Sequence, residues 1–96
     1  MKLVYSDEAV ADLVHLRKFI AEHDPAVAAR VARELIERID HLRRFPEMGR
    51  RVEQAPDPEA VRDAVFGKYI VRYVVHGGSV AILRVWHHMQ ARGGDS

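Results

Sequence analysis

The hydrophobic positions follow two periods. Between residues 7 and 45 apolar side chains recur at three- and four-residue spacing, and between residues 61 and 87 they alternate or cluster in β-branched runs. The first pattern predicts helices and the second strands. Ala9, Leu13, Leu16 and Ile20 mark one helical stripe, widened by Val10 and Phe19, with Asp12, Arg17, Lys18 and Glu22 opposite. Ser6 reads as the N-cap, and Asp7 and Glu8 suit the positive helix start, so an amphipathic helix is expected over residues 7–22. Asp24-Pro25 is a second start signal, a capping side chain followed by proline at the first helical position. The next stripe, Ala28, Val31, Ala32, Leu35, Ile36, Ile39 and Leu42, persists to Phe45 and stops at Pro46. Only His23-Asp24 separates the two helices, so they must be antiparallel neighbours, and small Ala28, Ala29 and Ala32 let them approach.

Lys2-Leu3-Val4-Tyr5 reads as a first strand. Residues 46–58, punctuated by Pro46, Gly49, Pro56 and Pro58, carry no period and are expected to form a loop over an edge of the domain. Residues 61–66 read as a strand, Gly67-Lys68 as a tight turn, and residues 69–88 as a hairpin about Gly77-Gly78, where both glycines can take positive φ. With a two-residue loop His76 opposes Ser79, and the ladder runs Val75–Val80, Tyr73–Ile82, Val71–Arg84 and Tyr69–Trp86. Opposed side chains share a face. One face thus collects Tyr69, Val71, Tyr73, Val75, Val80, Ile82 and Trp86, with Arg84 its one charge, and is assigned to the core. The other holds Ile70, Arg72, Val74, Ala81, Leu83, Val85 and His87. A one-residue slip would exchange these assignments. The expected fold is α+β: an N-terminal strand and an antiparallel two-helix hairpin packed on one face of a small antiparallel sheet, in the order β-α-α-β-β-β. Two helices cover only one face, so the other is expected to be partly open and to meet a partner.

Composition narrows the class. Ninety-six residues with 48% apolar and 30% charged content make one folded domain, residues 1–96, with a loose tail over 90–96. Without cysteine there is no disulfide frame and no thiolate metal site. No apolar run approaches the roughly 20 residues of a membrane span, so a cytosolic chain without membrane partners is expected. The net charge of +1 argues against general nucleic-acid affinity. Charge is local instead: Arg43, Arg44, Arg50 and Arg51 bracket Phe45-Pro46 with only Glu47 among them, which reads either as a solvated basic turn or as a contact for an acidic partner or phosphate.

Candidate chemistry concentrates at the end of the last strand. His87 and His88 point to opposite faces if the strand continues through them. One imidazole with Arg72 on the neighbouring strand is the minimum for metal-independent RNA cleavage, whereas the plainer reading is a polar strand tip. Of six histidines, His15, His23, His41 and His76 show no helical pairing and no HExxH occurs, so neither a metal nor a cofactor is expected. Glu34 and Glu37 read as a solvated face pairing with nearby arginines.

Several segments in order resemble the RelE/ParE superfamily of toxins from type II toxin–antitoxin modules. They are Ala11-Asp12-Leu13, Asp24-Pro25 with its following alanines, Leu42-Arg43-Arg44-Phe45-Pro46-Glu47-Met48-Gly49-Arg50, Tyr69-Ile70-Val71-Arg72-Tyr73 and Ile82-Leu83-Arg84-Val85-Trp86-His87. The resemblance runs from about residue 3 to residue 90. It implies a helical hairpin on an antiparallel sheet, and a cognate ParD-like antitoxin that wraps the toxin in a hetero-oligomer.

The resemblance also implies a lethal target. RelE-like members cleave messenger RNA in the ribosome, whereas ParE-like members act on DNA gyrase by binding. RelE-like nucleases tend to carry arginine where this chain has Ile70, and a tyrosine near the C-terminus, whereas no tyrosine follows Tyr73 here. The ParE-like branch is therefore favoured, with Arg84, Trp86, His87, His88 and Arg92 as target-binding residues. Met89 departs from the arginine often found there in that branch. The alternative is a ribosome-dependent endoribonuclease using Arg72 or Arg84 for phosphate and His88 as acid–base.

Overall fold

The computed structural model describes residues 1–53, 56 and 60–88. Its elements are β1 (Lys2–Tyr5), α1 (Asp7–Ala21), α2 (Pro25–Asp40), a 3-10 turn (His41–Arg43), β2 (Arg50–Arg51), β3 (Val61–Phe66), β4 (Tyr69–His76) and β5 (Ser79–His87). Both helix starts are built as the sequence predicts. The Ser6 hydroxyl accepts from the Ala9 N–H at 3.0 Å, and Asp24 Oδ1 accepts from Ala26 and Val27 N–H at 3.1 and 3.2 Å. Such caps contribute about 1 kcal/mol each.

The strands form one sheet in the order β1-β5-β4-β3-β2. Its fold class is the expected α+β, but the sheet is mixed: β1 runs parallel to β5, pairing Leu3 with Val80 and Tyr5 with Ile82. The loop over residues 46–58 is also not wholly irregular. Arg50 and Arg51 pair with Asp63 and Arg62 as an edge strand. Both departures are long-range pairings, which no local period encodes.

The core lies between the helices and one sheet face. Ala9, Leu16, Leu35, Ile39 and Leu42 meet Ala64, Phe66, Val71, Tyr73, Val80, Ile82 and Val85. The helical stripes are only partly internal, since Val10, Phe19, Ile36 and Phe45 are exposed at 49%, 61%, 43% and 59%. α2 also ends at Asp40, before the stripe does, and the 3-10 turn carries Leu42 inward.

Gly77 and Gly78 take φ of +56° and +78°, as a two-residue hairpin turn requires. From there the ladder follows the expected register through Tyr73–Ile82, then steps to Arg72–Arg84, leaving Leu83 as the extra residue of a β-bulge. The step corrects the expected Val71–Arg84 and Tyr69–Trp86 pairs, because Val71 meets Val85 and Tyr69 meets His87. Val85, 2% exposed, takes the core position that alternation had assigned to Arg84 and Trp86. Trp86 instead opposes Ile70 on the face without helices, and His87 joins the helix-side face.

Candidate functional site

The bulge decides where the charged residues of β5 go. β1 ends at Tyr5, so the outer edge of β5 beyond Ile82 has no strand partner there. The start of α1 fills that edge. The Ser6 N–H donates to the Ile82 carbonyl and its hydroxyl to the Leu83 carbonyl, both at 2.9 Å. Asp12, in the second turn of α1, accepts from the Val85 N–H at 2.9 Å. The same carboxylate takes Arg84 fork to fork, Nε at 2.8 Å and Nη2 at 3.0 Å. Asp12's hydrogen bond and charge, with the field of Glu8, hold the Arg84 guanidinium more firmly protonated than usual. The Asp12 side chain is 17% exposed and that of Arg84 57%, so the pair sits at the rim with its anion inward.

Arg72 lies on the open sheet face. It donates to both oxygens of Asp63, at 2.8 and 2.9 Å, and its guanidinium stands 5.1 Å from the centre of the Trp86 ring. The Trp86 indole nitrogen is buried with no hydrogen-bond partner among the described residues. His87 meets Tyr69 edge to face at 5.4 Å. His88 follows the strand, its N–H donating to the Lys68 carbonyl at 2.7 Å while the side chain is exposed.

Arg72 and Trp86 therefore come together, while Arg84 turns to α1 and His87 to Tyr69. His88 lies four residues beyond Arg84, about 13 Å along an extended strand. Arg92 lies outside the described residues. Among those residues no group of three or more histidine, aspartate or glutamate side chains is placed to hold a metal ion. Sequence reasoning missed both carboxylate partners. Asp63 was within reach of it, since a two-residue turn at Gly67-Lys68 sets Asp63 opposite Arg72. Nothing local links Asp12 to Arg84.

The arginine-rich turn is built on Tyr73. This side chain is fully buried; its hydroxyl accepts from the Gly49 N–H at 2.9 Å and donates to the Pro46 carbonyl at 2.7 Å. Arg62 Nη1 adds bonds to the Gly49 and Glu47 carbonyls at 2.8 and 3.3 Å. Arg43 pairs with Asp40 at 3.1 Å, whereas Arg44, Arg50 and Arg51 are exposed. Arg50 stands opposite Asp63, but Arg72 already occupies both oxygens of that carboxylate.

Between α1 and α2 runs an apolar groove, lined by Leu13, Val14, Ile20, Val31 and Ile36, and by Tyr69 of β4. No described helix is long and apolar enough to cross a membrane.

The family described as the ParE toxin of type II toxin-antitoxin systems, parDE, matches residues 3–92. The chain belongs to that family. It is a type II toxin of the RelE/ParE superfamily, and its relatives agree. Toxin RelE2 of Caulobacter vibrioides is 36% identical over 90% of this chain and 93% of its own length, and Toxin RelE1 of the same organism 33% identical over 94% and 96%. A chain of the chromosomal ParDE TA system from P. aeruginosa shares the fold with a TM-score of 0.76 at 22% identity, covering 91% of this toxin and 95% of that chain.

Proposed function

We propose that this toxin disables DNA gyrase by binding it, and that a ParD-like antitoxin neutralises it in a cytoplasmic hetero-oligomer. The observation that carries the first part is the pairing of Arg72 and Arg84. Phosphodiester cleavage needs cations free to meet an oxyanion as charge develops. Here each guanidinium is forked onto a carboxylate, Asp63 or Asp12, and that carboxylate repels a phosphate brought to the same place. Ile70 adds no charge to the open face, and the Tyr73 hydroxyl is spent on the turn. The arrangement suits a contact surface better than a catalytic one.

The antitoxin part is supported by the groove between α1 and α2. Its apolar borders match one face of an amphipathic helix laid along it. The association of the P. aeruginosa relative with a ParDE system points the same way. Binding of the antitoxin is expected to reduce fluorescence of an apolar dye on the isolated toxin.

The deciding experiment is induction of the gene in a bacterial host, with separate pulse labelling of DNA and protein within minutes. Early failure of DNA synthesis with double-strand breaks supports the gyrase reading. Early failure of protein synthesis with messengers cut inside coding regions overturns it for a ribosome-dependent endoribonuclease, the reading favoured by the names of the two Caulobacter relatives. His88→Ala separates the two again, because an enzyme relying on that imidazole loses activity outright and a binder keeps most of it.

A further inference from the structure

We infer that the turn over residues 44–50 is a preassembled docking knob for an acidic protein surface on the molecule that the toxin disables. The inference rests on the reading that this toxin acts by binding a protein. Three observations carry it.

The turn is rigid before anything binds. The buried Tyr73 hydroxyl and the Arg62 guanidinium make four hydrogen bonds to Pro46, Glu47 and Gly49. A segment fixed in this way loses little conformational freedom on association.

What the turn displays is neither core nor ordinary polar surface. Phe45 and Met48 are 59% and 52% exposed, although nothing in the turn's own bonding needs a large apolar residue at either position. Aromatic residues, methionine and arginine are the types enriched where proteins meet.

The turn also carries a net positive charge, with Arg44 and Arg50 set against Glu47 alone. Arg44 and Arg50 are exposed and have no ion-pair partner among the described residues, and Asp63, the acid nearest Arg50 in the ladder, is held by Arg72. Cations flanking two exposed apolar side chains complement an apolar pocket rimmed by carboxylates. A nucleic-acid backbone would use the arginines but leave Phe45 and Met48 without an apolar partner, so a protein fits better.

Two variants test this. Arg44→Glu/Arg50→Glu reverses the charge, and Phe45→Ser/Met48→Ser removes the apolar tip. None of these side chains makes the bonds that hold the turn, so melting temperature and antitoxin binding report whether each variant is intact. With both intact, each variant is expected to need at least tenfold more toxin for growth arrest. Each is also expected to bind purified gyrase holoenzyme at least tenfold more weakly. Salt should weaken wild-type binding and narrow its gap to the charge-reversed variant, whose repulsion from an acidic surface it screens. Two intact variants that arrest growth like the wild type overturn the inference. If the wild type does not bind gyrase while both variants lose growth arrest, the gyrase reading falls and the knob stands. If the wild type binds gyrase and both variants bind equally well, the knob falls and the gyrase reading stands. Submicromolar binding of a 20-nucleotide RNA or DNA duplex by the wild type, lost only with the arginines while Phe45→Ser/Met48→Ser remains fully toxic, replaces the protein surface with a nucleic acid.

Discussion

Gly49→Ala is the most searching single test of how the arginine-rich turn is held. The backbone conformation does not call for glycine there, since among the described residues the only glycines with positive φ are Gly67, Gly77 and Gly78. Space does. A Cβ on Gly49 would lie 2.7 Å from the Tyr73 hydroxyl, 2.8 Å from Tyr73 Cε1 and 3.0 Å from the Asp63 carbonyl carbon. The ring is fully buried and the third atom is strand backbone, so no flexible side chain can step aside. Either the ring tilts or the turn lifts, and lifting separates Gly49 and Pro46 from the hydroxyl that binds both. Overpacking a close-fitting site costs about 1–3 kcal/mol, and a buried polar group left unpaired roughly another 1–3. We expect a loss of about 3 kcal/mol, a large part of the roughly 5–15 kcal/mol available to such a domain. That corresponds to a fall in Tm of about 12–24 °C at this chain length. Urea denaturation at unchanged m-value is the assay. Tyr73→Phe alone should cost about 1–3 kcal/mol by stranding the Gly49 N–H and the Pro46 carbonyl. Gly49→Ala/Tyr73→Phe should cost less than the sum, because the closest contact disappears with the hydroxyl. A Gly49→Ala protein within about 0.5 kcal/mol of wild type, or a strictly additive double variant, would refute the reasoning.

Other consequences are equally concrete. Asp12→Asn keeps an acceptor for the Val85 N–H but removes the charge facing Arg84; with that guanidinium more than half exposed the expected loss is only about 1 kcal/mol, against about 2–3 for Asp12→Ala, by urea melts of the two variants. Leu35→Ala, at a 4% exposed site, should cost about 2–5 kcal/mol and Ile36→Ala, 43% exposed, under about 1, so equal losses would contradict the placement of α2. Burial raises all three tyrosines, Tyr5, Tyr69 and Tyr73, above the ordinary value of 10.0. The folded state therefore holds protons that the unfolded chain releases near pH 10, and stability is full below that pH and falls as pH rises above it. Tyrosinate absorbance should consequently appear late and together with loss of far-ultraviolet dichroism; normal titration at pH 10 with the fold intact would contradict it.

The elements were legible because their signals are local. Ser6 and Asp24-Pro25 start helices with side chains that satisfy their own first turns, and Gly77-Gly78 sets the first rungs of its hairpin through a conformation that only the turn residues control. The candidate site was legible as composition: Arg72, Arg84, Trp86, His87 and His88 stand out as residue types, and residues 43–51 as a knot of arginine. Their partners were not legible in the same way. Asp12 and Arg84 are 72 residues apart in the chain, and Gly49 and Tyr73 are 24 apart. No periodicity couples such positions.

By itself, then, the sequence determined the helices, the hairpin turn, every strand except β2 and the resemblance to a toxin superfamily. Each follows from neighbours within a few residues or from motifs in order. Tertiary structure alone decided that β1 lies parallel to β5, that Leu83 bulges, and therefore that Val85 is core while Trp86 stands under Arg72. A bulge inserts one residue, and in a period of two one residue exchanges the faces of everything after it. What settles where that step falls is α1: Ser6 and Asp12 bind the edge of β5 at Ile82, Leu83 and Val85, and those bonds exist only once the helix has been laid against the sheet.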